Sequence, residues 1–106
     1  MKVIIDDDTY KLLDSLNAKE YAKCLRIIGL LEEHGQVLGM PQSRYISDGL
    51  LELRVRGKRE LRMFYFFHNK SAFIIHSFIK KTQNTPPQEL RKALKKKSEH
   101  LRDYNL

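Results

Sequence analysis

"LLELRVRGKRELRMFYFFHNKSAFIIHSFI", residues 50–79, decides how this chain folds. Leu51, Leu53 and Val55 alternate with Glu52, Arg54 and Arg56, the period-two pattern of a strand with one dry face. Gly57 marks the turn that follows. "ELRMFYFF" (60–67) and "SAFIIHSFI" (71–79) are apolar on both faces, as strands covered on both sides would be, with "HNK" as a tight connection. Three strands in hairpin succession predict an antiparallel meander.

The first hairpin fixes a charge problem. If residues 57–59 form its loop, antiparallel pairing sets Arg54 directly across from Arg62, and like charges in that position destabilise a sheet. Either an anion bridges the two arginines, or Arg54 pairs with Glu52 or Glu60 as an ordinary strand-surface salt bridge. The second hairpin is less determined. A two-residue loop at Asn69 and Lys70 brings Ser77 opposite Arg62, whereas an odd-numbered loop brings His76 or Phe78 there, and a one-residue slip exchanges the faces. His76 is expected to be a satisfied core or interface histidine and Tyr65, with Leu61 and Met63, a core residue. His68 is expected in a loop and His100 on an exposed helix face.

Upstream, "VII" at 3–5 reads as a short strand and "DDDTYKLLDSL" as a helix, with Asp6 to Asp8 favourable at its positive N-terminus. Asn17 and Glu20 have capping-box spacing, and Tyr21, Leu25, Ile28 and Leu31 then recur on one face of a second helix that closes at Gly35, with His34 as a C-terminal cap. Downstream, Thr85 followed by Pro86, Pro87 and Gln88 starts a last helix, given an apolar stripe by Leu90, Ala93, Leu94, Leu101 and Tyr104. The expected order is β-α-α-β-β-β-α, an α+β fold with the early helices on one face of the sheet and the last helix near its far end.

Composition bounds the function. A chain of 106 residues, 42% hydrophobic and 31% charged, is expected to fold as one domain spanning 1–106. No apolar run approaches the ~20 residues of a membrane span, no secretory pattern opens the chain, and a cytoplasmic protein is expected. Cys24 is the single cysteine, read as a small buried side chain on a helix, and no cluster has metal-ligand spacing. The net charge of +7 is unevenly spread: residues 1–43 carry five basic and seven acidic groups, residues 80–106 eight and three. A basic surplus confined to the second half points to a polyanion, most often nucleic acid.

With these residues in place a resemblance emerges. "DGLLELRVRGKRELRMFYFF" (48–67) and "IIHSFIKKTQNTPPQEL" (74–90), with "GLLEEHG" and "LGMP" between 29 and 41, resemble the phage-derived branch of the RelE/HigB toxins of type II toxin–antitoxin systems. The resemblance implies a small RNase-type fold, two helices packed on an antiparallel sheet of about four strands, and a toxin that cleaves messenger RNA on the ribosome without cofactor or metal. It implies as partners the ribosome, mRNA and a helix-turn-helix antitoxin, and it allows a toxin–antitoxin heterotetramer. By position, the family's arginines fall on Arg54 and Arg62 and its basic residues after the last strand on Lys80 and Lys81. RelE itself has a tyrosine in the final helical segment that takes part in proton transfer, but residues 82–90 here contain neither Tyr nor His, so the acid and base stay unassigned.

Cleavage of this kind uses the RNA 2′-hydroxyl as nucleophile. Fixed cations at the phosphorane supply roughly 10² to 10³ each, and a positioned acid or base about 10² to 10⁴. Arg54 and Arg62 suit the first role because a guanidinium stays charged and forks onto phosphate oxygens. Lys80 or Lys81 suits proton transfer, since nearby cations depress a lysine pKa. Arg56, Lys58 and Arg59, with Arg91, Lys92 and the run Lys95, Lys96 and Lys97, are expected to bind RNA by shape and phosphate. The alternatives are a gyrase-poisoning toxin of ParE type on the same scaffold and an inert binder of double-stranded RNA.

Overall fold

The computed structural model describes residues 1–81 and 86–104. In chain order they form β1 (Lys2–Ile5), α1 (Asp7–Asp14), α2 (Ala18–His34), a 3-10 turn (Gly35–Val37), β2 (Ser43–Ser47), β3 (Leu50–Val55), β4 (Glu60–His68), β5 (Ser71–Lys80) and α3 (Pro87–Tyr104). The α+β class is as expected. The sheet has five strands rather than about four, in the order β1-β5-β4-β3-β2, and it is mixed: β1 runs parallel to β5 while every other pair is antiparallel.

The helix starts follow their local chemistry. Asp6 caps α1 by accepting the Thr9 N–H at 3.1 Å, and Asn17 and Glu20 form a reciprocal capping box on α2. The Gly35 N–H, rather than His34, caps the end of α2, donating to the Leu31 carbonyl. The Thr85 cap expected for α3 lies outside the described residues, as does the side chain of Tyr104 in its stripe.

The buried face of α2 differs from the expected stripe. Cys24, Ile27, Ile28 and Leu31 point into the core, whereas Tyr21 and Leu25 are 41% and 46% exposed. Both sets satisfy helical spacing, and the sheet selects the one that meets Leu53, Val55, Leu61 and Met63. Burial pushes the Cys24 thiol up to about 11, which leaves it un-ionised at neutral pH.

Two cores result, one on each side of the sheet. Odd-numbered residues of β3 and β4, including Tyr65, face α1 and α2, and the Tyr65 hydroxyl is hydrogen-bonded to Ser43 Oγ. Phe64, Phe66, Phe73, Ile75 and Phe78 face α3, which approaches most closely at the wholly buried Ala93. The last helix therefore covers the opposite face of the sheet, instead of sitting near its end. His100, expected to be exposed, packs its ring 4.4 Å from that of Phe73 and edge-on to Phe66, and burial there lowers its pKa. His68, expected in a loop, is the last residue of β4.

One irregularity decides where the basic residues go. Asn69 and Lys70 form the two-residue loop, both with positive φ, and pairing begins at His68↔Ser71 as that loop dictates. Between Tyr65↔Ile74 and Phe64↔His76 the register shifts, because Ile75 is an extra residue on β5. Phe78, not Ser77, therefore stands opposite Arg62, and Lys80 stands opposite Glu60.

Candidate functional site

The first hairpin pairs as its loop length requires, with Arg54 directly opposite Arg62. The like-charge conflict is relieved by carboxylates, though not by the pairing expected for Arg54. Arg62 is 1% exposed; its Nη1 donates to Glu60 Oε2 at 2.7 Å and to the Leu61 carbonyl at 3.1 Å, and its Nε lies 3.5 Å from Glu52 Oε1. Glu52 is equally buried and is approached from the other side by Arg44 at 3.8 Å. Among the described residues Arg54 has no carboxylate in ion-pairing range. Its Nε is buried without a hydrogen-bond partner, and its Nη1 reaches only the Met40 sulfur at 3.9 Å. Burial, with Arg56 and Arg62 close by, pulls its pKa down.

Lys80 completes the group. The bulge at Ile75 sends it to the face of Glu60 and Arg62, and its pKa is lowered by burial first and then by Arg62, with Arg54 adding and Glu52 and Glu60 opposing. The result is a cluster at one end of the sheet that joins three strands: Arg54 from β3, Glu60 and Arg62 from β4, Lys80 from β5. Chemically it can bind a phosphate through a guanidinium and offer an ammonium whose proton is more loosely held than usual.

Lys81 is separated from this cluster. It is exposed and borders a depression of about 400 Å³ with Phe78, Ile79, Pro86, Gln88 and Glu89. Arg56 and Lys58 are exposed around the β3–β4 turn. Arg59 is drawn away, forking onto Glu20 of α2 at 2.7 and 2.8 Å. That fork, with burial opposing it, holds the Glu20 carboxyl down at about 2. A depressed carboxylate stabilises the fold above its unfolded pKa, near 4.5, and loses that contribution as pH falls towards about 2. Arg59→Ala is therefore expected to return the Glu20 titration, followed by carboxyl NMR, most of the way to 4.5; an unmoved titration would show that the fork does not form in solution.

The basic residues of α3 divide in two. Arg91, Lys92 and Lys95 are exposed, with Lys92 3.8 Å from Glu89. Lys96 and Lys97 dock the helix instead. Lys96 Nζ lies 3.2 Å from Asp8, 3.6 Å from Asp6 and 3.4 Å from His76 Nδ1, while Lys97 donates to the Asp48 carbonyl and sits 5.8 Å over the Phe66 ring. His76 is the satisfied core histidine expected, 2.5 Å from Glu89 through Nε2 and clustered with the rings of Phe64 and Phe78, 6.3 and 6.0 Å away. Charge counting along the sequence gives Lys95, Lys96 and Lys97 equal weight; the helical rotation that turns two of them inward appears only once the packed face is known.

Among the described residues no group of three or more His, Cys, Asp or Glu could hold a metal ion, and no helix is long and apolar enough to cross a membrane. The family profile described as phage derived protein Gp49-like (DUF891) matches residues 11–98. No curated protein matches the chain.

Proposed function

This chain belongs to the Gp49-like family of phage-derived proteins, a toxin-like family of toxin–antitoxin systems, and we propose that it is a toxin of RelE/HigB type, a ribosome-dependent mRNA endonuclease. The observation that carries this reading is the convergence of Arg54, Arg62 and Lys80 on one end of the sheet, with Arg54 opposite Arg62 and Lys80 opposite Glu60 on the same face. The cognate antitoxin, the ribosome and mRNA are the partners it requires.

In this mechanism the 2′-hydroxyl loses its proton to solvent as its oxygen attacks the adjacent phosphorus, the bond to the 5′-oxygen breaks as that oxygen takes up a proton, and a 2′,3′-cyclic phosphate forms. Arg54, without a carboxylate partner among the described residues, is the guanidinium available to the phosphorane oxygens. Arg62 lies beneath it, neutralised by Glu52 and Glu60; it positions the cluster and sets its field. Lys80, with its lowered pKa, protonates the leaving 5′-oxygen.

Expression of the protein alone is expected to arrest growth, with new 5′ ends in cellular mRNA detected by primer extension, and Arg54→Ala to relieve both while the protein remains folded. An SOS response with intact mRNA would select a gyrase poison of ParE type instead. Salt-sensitive duplex binding without arrest would select the inert RNA binder, which usually has one helix before its sheet where this chain has two.

A further inference from the structure

Around the edge of the sheet from Lys80, the end of β3 meets α2 across a cleft of about 280 Å³. Four cations line it, Lys23 and Arg26 from α2 and Arg54 and Arg56 from β3 and its turn, against an apolar wall that includes Ile27 and Pro41. Among the described residues none of the four has a carboxylate in ion-pairing range, although Arg59 and Arg62, on the same hairpin as Arg54 and Arg56, both do. Lys23 Nζ instead donates to the Arg56 carbonyl at 3.3 Å, which draws the α2 ammonium across to the strand end. Four cations thus converge on one concavity that no carboxylate lines among the described residues.

We propose that this cleft is a second phosphate subsite, holding an RNA backbone phosphate next in line to the one at the Arg54 and Lys80 cluster. Arg54 belongs to both and marks the path of the strand over the sheet end. The volume is small for a whole nucleotide, and among the described residues no aromatic side chain lines it to stack a base. The subsite therefore reads phosphate and is indifferent to sequence. The choice of RNA as ligand rests on the nuclease reading above.

The test uses a single-stranded 2′-O-methyl RNA oligonucleotide, which has no free 2′-hydroxyl and cannot be cleaved. Its affinity for the full chain is measured by fluorescence anisotropy across a salt series. Lys23→Gln with Arg26→Gln is expected to weaken binding about tenfold at low salt and to flatten the slope of log K against log salt by about 0.7, the contribution of one phosphate contact. The conservative pair Lys23→Arg with Arg26→Lys should keep the wild-type slope, and so should removal of two exposed charges elsewhere, Lys11→Gln with Arg102→Gln. An unchanged slope in the first pair overturns the subsite. So does an oligonucleotide affinity left intact while binding of polyglutamate falls, which would make the cleft a docking site for an acidic protein segment. The wild-type chain separates this from the nuclease reading: a cleft that binds oligonucleotide in a protein that never cleaves mRNA leaves the subsite standing and removes the endonuclease.

Discussion

Replacing Arg62 with leucine is expected to lower the stability of the protein by about 3–5 kcal/mol, the range for removing one partner of a buried ion pair. The reason lies in what is left behind. Glu52, 1% exposed, would lose the equally buried guanidinium 3.5 Å from it, and holding a carboxylate charged at that depth without this cation is costly. Against a typical total of about 5–15 kcal/mol, such a loss takes the protein close to unfolding. The urea midpoint reads it directly, at unchanged slope. Adding Glu52→Gln to the Arg62→Leu chain should restore a substantial part, because no buried carboxylate is then separated from its buried guanidinium. A drop below about 1 kcal/mol, or no recovery in the double variant, would mean that the pair does not carry the buried end of the sheet. It follows that loss of toxicity in an Arg62 variant does not by itself mark Arg62 as a group that touches RNA.

Lys80→Ala and Lys81→Ala are expected to separate sharply in function. If Lys80 supplies the proton to the leaving oxygen, its removal should slow mRNA cleavage by about 10² to 10⁴ and abolish growth arrest. Lys81→Ala should retain arrest, since Lys81 is exposed beside Phe78 and Pro86, away from Arg54 and Arg62. Both positions end a strand at the surface, so neither substitution should shift the melting temperature much, and circular dichroism checks that. Equal toxicity of the two variants would remove Lys80 from the mechanism, and the reverse ranking would place the reacting phosphate beside Lys81 and Pro86 instead.

Much of this was legible along the chain. The alternation at Leu51, Leu53 and Val55 marked a strand, the Asn17 and Glu20 spacing marked a helix start, and the loop after Val55 set Arg54 against Arg62. Each of these depends on residues close in sequence. Strand β2 was not legible, because "SRYIS" is a short polar edge strand defined by its hydrogen bonds to β3 and not by an apolar face. The parallel pairing of β1 with β5 joins residues about seventy positions apart, for which local pattern carries no signal. The cleft at α2 escaped for a related reason: Lys23 and Arg26 lie in the half of the chain with an acidic surplus, and only packing sets them beside Arg54 and Arg56.

By itself the sequence determined the α+β class, the meander, the N-terminal caps of the first two helices and the opposition of two arginines, since hydrophobic period, capping chemistry and loop length act over a few residues. The tertiary structure alone decided which lysine joins those arginines. The loop at Asn69 and Lys70 specifies one register, but the extra residue at Ile75 changes it partway along β5, so that both Ile75 and His76 meet α3 and everything after them exchanges faces. Side-chain direction in a strand reverses with every residue, so that single insertion carries Lys80 to Glu60 and Arg62 and leaves Lys81 outside.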